Sequence, residues 1–226
     1  MPLCGDLLAG SGASVIKVES TQRPDGARRG AGAFYDLLNG HKRSVALDLQ
    51  TSGGIRILRE LVQRADVVIE ASRPRALAQF GLDAHDAVAA GGPQVWLSIT
   101  GYGRSDEGAH RIAFGDDAAA AGGLVTQRKN GPLFCADAIA DPITGLYAAI
   151  GALASMATGG GHLVDTSLVA SAAFAAGVGS CRGDHAVETS GSSWSVSHDG
   201  RTRAVEPSRP LGDAGYAIRG SGHGSD

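Results

Sequence analysis

Four short runs rich in β-branched residues, at 13–18, 44–49, 65–70 and 94–99, recur along the chain with helical or loop material between them. Strands separated by helix-length connections come back as parallel neighbours, so this rhythm confines the chain to an α/β fold with a largely parallel sheet. Between the second and third runs, Ile55, Leu58, Leu61 and Val62 repeat on one helical face and predict a helix over residues 53–64. Arg56, Arg59, Glu60 and Arg64 take its wet side.

A long apolar segment at 143–156 carries Leu146, Ile150 and Leu153 among alanines and glycines, which predicts a helix buried on most sides. Asp141 followed by Pro142 reads as its start, because Asp is a preferred N-cap and Pro suits the first helical position. After Gly159-Gly160-Gly161, residues 162–168 read as a last strand. Beyond about residue 180 the chain turns to Gly, Ser, Asp and Arg with few apolar anchors, which predicts a loosely ordered tail. The expected division is one domain over residues 1–175 and a tail over 176–226.

Composition narrows the function. The 226 residues are 43% hydrophobic and 19% charged, as in an ordinary globular domain, but 34 are glycine, roughly twice the usual share. A net charge of −3, with dense basic spots only at Arg28-Arg29 and Lys42-Arg43, argues against a general nucleic-acid binder. Cys4, Cys135 and Cys181 form no CxxC pair, so reduced thiols in a cytoplasm are expected rather than disulfides or a zinc ribbon. No stretch reaches the roughly 20 apolar residues that cross a bilayer, and neither membrane association nor a metal is expected. GxGxxG, GxxxxGK[ST], GxSxG and HExxH are all absent, which weakens dehydrogenase, P-loop, serine-hydrolase and metalloprotease readings. Chemistry is left to carboxylates, backbone amides and a few basic residues.

Several stretches in order resemble the class III CoA-transferase family, to which the α-methylacyl-CoA racemases are related. They are Gly12-Ala13-Ser14-Val15-Ile16-Lys17-Val18-Glu19, Leu38-Asn39-Gly40-His41-Lys42-Arg43-Ser44, Ala65-Asp66-Val67-Val68-Ile69-Glu70 with Arg73-Pro74, Ser98-Ile99-Thr100-Gly101-Tyr102-Gly103, and Ala140-Asp141 with Gly145-Leu146. The resemblance implies a doubly wound, Rossmann-like sheet and transfer of CoA from an acyl-CoA to a small carboxylic acid. It implies Asp141 as the acyl-accepting nucleophile, CoA as substrate with no prosthetic group, and a homodimer. On its residues alone Asp141 is equally a helix cap, and the two roles are compatible, since amides at a helix start favour an ionised carboxylate.

The family's CoA contacts carry over onto Leu47, Asp48 and Gln50, onto Ala71, Ser72 and Arg73, and onto Ile112, Ala113, Phe114 and Gly115. Ala71-Ser72 stand where the family often has Asn-Phe. Asp137 competes with Asp141 but lacks a following helix start. Lys42-Arg43 belong to the family's K-R-S element and read as structural, because a buried strand follows. The racemase branch has a histidine where Phe114 stands, and His110 lies four residues early, so transferase is preferred to racemase. Met1-Pro2-Leu3 falls inside the turn that precedes the family's first helix, so a first strand, the small second domain and its lid are expected to be missing. A CoA-binding remnant without activity is therefore the alternative.

Overall fold

The structure, a computed structural model, describes residues 2–178, 185–190, 193–198 and 201–205. The elements follow the chain as α1 (Pro2–Gly10), β1 (Ile16–Ser20), α2 (Gly32–Asn39), β2 (Arg43–Leu47), α3 (Ser52–Arg64), β3 (Val67–Glu70), α4 (Pro74–Ala78), α5 (Ala84–Ala89) and β4 (Val95–Thr100). The second half contributes α6 (Gly115–Ala121), β5 (Val125–Arg128), β6 (Gly131–Phe134), α7 (Ala140–Ala157), β7 (His162–Ser167), α8 (Leu168–Val178), β8 (His185–Ser190), β9 (Ser193–His198) and β10 (Arg201–Val205).

All four β-branched runs form strands, and every pairing among them is parallel. β3, β4 and β7 make one sheet in the order β3-β4-β7, while β1 pairs with β2 separately. Every residue of the central strand β4 is buried, as expected of a parallel strand covered on both faces. Its alternation divides the core. Leu97 and Ile99 face a cluster with Cys4 and Leu8 of α1, Ala118 of α6, Ala148 and Ala152 of α7 and Leu168 of α8. Trp96 faces the other cluster, with Val45, Leu47, Ile57, Leu58 and Val62. Helices therefore cover both faces, and the doubly wound α/β expectation holds.

Several local expectations change. In α3 the buried apolar residues are Ile57, Leu58 and Val62, with Ile55 and Leu61 half-buried, so the core stripe is rotated toward Ile57. Pro2 and Leu3 belong to the first turn of α1, not to a turn ahead of it. In α7 the large side chains Leu146, Ile150 and Leu153 are 47%, 54% and 49% exposed, and the buried face is Thr144, Gly145, Ala148, Ala149 and Ala152. Small residues win that face because α1 lies against it. A Cβ on Gly145 would come within 3.1 Å of Leu3 Cβ and 3.2 Å of the Cys4 nitrogen.

Five strands, in two small antiparallel sheets, had no counterpart in the sequence expectations. β5 and β6 form an antiparallel hairpin, and Asn130-Gly131 at its turn was an available signal. Within the expected tail, β8, β9 and β10 make an antiparallel three-stranded sheet. Among the described residues, no helix is long and apolar enough to cross a membrane.

Candidate active site

α7 runs back along the sheet between the hairpin and β7, which puts its N-terminus at the carboxyl end of β4 and β7, where open parallel sheets bind ligands. Asp141 is half-buried there. It is not the N-cap: Ile139 holds that position, Ala140 is the first helical residue and Asp141 the second. Pro142 is tolerated at the third position because first-turn N–H groups have no intrahelical partner. Burial pushes the Asp141 carboxyl above its ordinary range, and the negative charge of Asp116 pushes in the same direction.

The approach to this helix is held tightly. Ala138 has a φ of 47°, and among the described residues it is the one non-glycine with a positive φ. Its carbonyl accepts the Asp141 N–H at 2.9 Å, and its own N–H donates to Asp116 Oδ1 at 2.8 Å. Gly115 supports it from below, where a Cβ would lie 2.5 Å from the Ala138 oxygen and 2.7 Å from its Cα. Only a residue without a side chain allows that approach.

Residues 112–115 therefore join Asp141 through Gly115. They also join the end of β4, since Gly101 packs closely on Ala113. Ile112 and Phe114 are 58% and 73% exposed, Ala113 is half-buried and Gly115 buried. Ala71, Ser72 and Arg73 form an exposed loop directly after β3, in the same sheet. Leu47, Asp48 and Gln50 end β2 in the separate pair, and the side-chain hydrogen bond of Asp48 is spent inside its own turn, from the Gln50 N–H at 3.0 Å. Asp137 is an exposed turn residue, and His110 is exposed at the end of a short 3-10 helix, Asp106–His110. Arg73 makes no side-chain cap to the short helix it precedes.

A polar row across the strand ends, buried at Glu70 and Ser98 and exposed at Asp165, was not anticipated. Glu70, Ser98 and Asp165 lie side by side in register across β3, β4 and β7. Arg104 closes over them: its Nη1 donates to Glu70 Oε2 and Ser98 Oγ, both at 2.9 Å, and its backbone N–H donates to Asp165 Oδ2 at 2.8 Å. Trp96 Nε1 donates to the same Glu70 oxygen at 3.0 Å. Burial nonetheless raises the Glu70 carboxyl above its ordinary value. The available signal was a Glu ending an otherwise apolar strand, which requires a buried partner. The row pins residues 101–104 across the strand ends.

One residue of each basic spot is structural. Arg28 forks onto Glu19, with Nη2 to Oε2 at 2.6 Å, and stacks over Tyr35. Lys42 is buried and donates to the Pro2 carbonyl at 2.6 Å and Asn39 Oδ1 at 3.0 Å. Among the described residues, no group of three or more His, Cys, Asp or Glu side chains is placed to hold a metal.

Comparison with known proteins agrees with this architecture. The chain is 32% identical over 188 residues to succinate–glutarate CoA-transferase of Agrobacterium fabrum, covering 74% of this chain and 47% of that protein. It is 30% identical over 181 residues to succinyl-CoA–D-citramalate CoA-transferase of Chloroflexus aurantiacus, covering 74% and 45%. It thus spans about half the length of these relatives. Among solved structures, a CAIB/BAIF family protein from Brucella suis is similar with a TM-score of 0.69 and 31% identity, over 76% of this chain and 50% of that one. CoA-transferase family III matches residues 1–191. A match over most of the chain, carried by the same α/β fold, shows that the chain belongs to CoA-transferase family III.

Proposed function

We propose that this chain moves coenzyme A from an acyl-CoA thioester to a small carboxylic acid, with Asp141 as the carboxylate that takes the acyl group. The observation that carries the reading is the half-buried Asp141 in the first turn of α7, at the carboxyl end of the parallel sheet. The names of the two relatives above, both CoA-transferases, support the reaction class.

One Asp141 oxygen attacks the donor thioester carbonyl. The C–S bond breaks, giving an acyl-aspartyl anhydride and CoA thiolate. The thiolate then attacks the aspartyl carbonyl, releases the donor as its carboxylate and leaves an aspartyl-CoA thioester. The acceptor carboxylate repeats these steps in reverse and departs as the new acyl-CoA. Covalent capture divides one difficult exchange into easier ones, and only the ionised Asp141 is a nucleophile. CoA would lie along residues 112–115 and 71–73, with Leu47, Asp48 and Gln50 at the far end. The acting unit is residues 1–175, paired with a second copy.

The test is incubation with a panel of acyl-CoAs, capture of the activated aspartate with hydroxylamine, and peptide mass spectrometry. A hydroxamate at Asp141, lost in Asp141→Ala, is the expected result. A folded protein that CoA stabilises against melting but that never takes an adduct would instead be a CoA-binding module.

A further inference from the structure

We infer that Asp116 is a positioning residue for Asp141, acting through the backbone of Ala138; this rests on Asp141 being the nucleophile proposed above. A left-handed backbone at an L-residue is unfavourable and persists only where its surroundings over-determine it. Ala138, at φ 47°, is such a residue, three positions before Asp141.

Both of its hydrogen-bonding groups are committed. Its carbonyl receives the Asp141 N–H, and its N–H reaches the Asp116 carboxylate, 22 residues earlier in the chain. The bare Cα of Gly115 completes the seat. Moving Ala138 therefore moves the residue that begins the chemistry.

The two adjacent carboxylates divide their work. Asp117 Oδ2 accepts the Phe114 N–H at 3.1 Å, which closes the start of its own helix. Asp116 does nothing for α6 by its bond to Ala138. Its carboxylate spans from α6 to the loop before α7, and the Ala138 amide ties that span to the Asp141 turn.

The test compares the full 226-residue chain with Asp116→Ala and Asp116→Asn, since the Asn side-chain carbonyl can accept the same N–H. Asp116→Ala is expected to slow acyl capture at Asp141 by about 10- to 100-fold at saturating acyl-CoA, the loss typical of a displaced reacting group. CoA affinity should stay unchanged, and Asp116→Asn should recover most of the rate. Equal capture rates in wild type and Asp116→Ala would overturn the inference. So would a matching loss of CoA affinity, which a general disturbance of the domain would cause.

A second measurement does not depend on the chemistry. The Ala138 amide should exchange with solvent at least about tenfold faster in Asp116→Ala, and stay protected in Asp116→Asn. Unchanged exchange in all three overturns the inference even if wild type takes no acyl group. Absence of an adduct on wild type, with exchange behaving as expected, counts against the nucleophile and not against the Asp116–Ala138 contact.

Discussion

Lys42 offers a quantitative test of how the fold holds its N-terminal helix. Burial pushes its ammonium down from 10.5 to about 8, against the attraction of Asp6. At about 1.4 kcal/mol per pH unit, a displacement of that size corresponds to about 3 kcal/mol. The sign follows from proton counting. Between about pH 8 and 10.5 the unfolded chain holds a proton on Lys42 that the folded one has released, so folding becomes more favourable as pH rises through this window.

Two neighbours act oppositely. Burial raises the Cys4 thiol from 9.0 to about 11, and burial with the charge of Glu19 raises the Tyr35 hydroxyl from 10.0 to about 12. Each takes stability away as pH climbs through its own window. The wild-type curve alone should therefore rise only from about pH 8 to 9, then flatten and fall. Lys42→Met isolates the amine. Its offset at neutral pH reflects the Pro2 carbonyl and Asn39 left unpaired, whereas the pH dependence of the difference belongs to Lys42. Urea unfolding at about pH 7, 8, 9, 10 and 10.5 should show wild type gaining up to about 3 kcal/mol on the variant. A difference independent of pH would show that Lys42 is not desolvated in the folded state, and the argument would fall.

Two other measurements bear on the site. Glu70→Ala leaves the Arg104 guanidinium and the Trp96 N–H without their shared acceptor, so unfolding stability should drop by about 3 kcal/mol, with a change in Trp96 fluorescence. A loss below about 1 kcal/mol would show that the row is replaceable by water. Because burial raises the Asp141 carboxyl, adduct formation should climb with pH and level off only above a midpoint higher than the ordinary carboxylate value of about 3.9. The same displacement means that Asp141 contributes stability at low pH that is lost as pH rises through its folded value. A labelling rate already flat from pH 4 upward, to within about one unit, would contradict it.

What could be read from the linear chain was what depends on near neighbours. The four β-branched runs specify strands because alternation and crowding act within a few residues. Two helix starts are likewise set by near neighbours: Thr51 Oγ1 accepts the Gly54 N–H, and Asp83 Oδ1 accepts the His85 and Asp86 N–H groups. Asp141 was legible as a helix-start carboxylate, two positions from its true place.

What holds the surroundings of Asp141 and the buried charges in place came from contacts distant in sequence. Asp116 meets Ala138 across 22 residues, Glu70 meets Arg104 across 34, and Lys42 meets Pro2 across 40. The exposed leucines of α7 teach the same point. Hydrophobicity along the chain says that a helix needs burial, but the face that is buried was chosen by close approach of α1 and the sheet, which only glycine and alanine permit. Local propensity acts through a few bonds and is written in the order of residues. The burial of a charge, the register of Glu70 beside Ser98, and the strain at Ala138 exist only once the elements have packed.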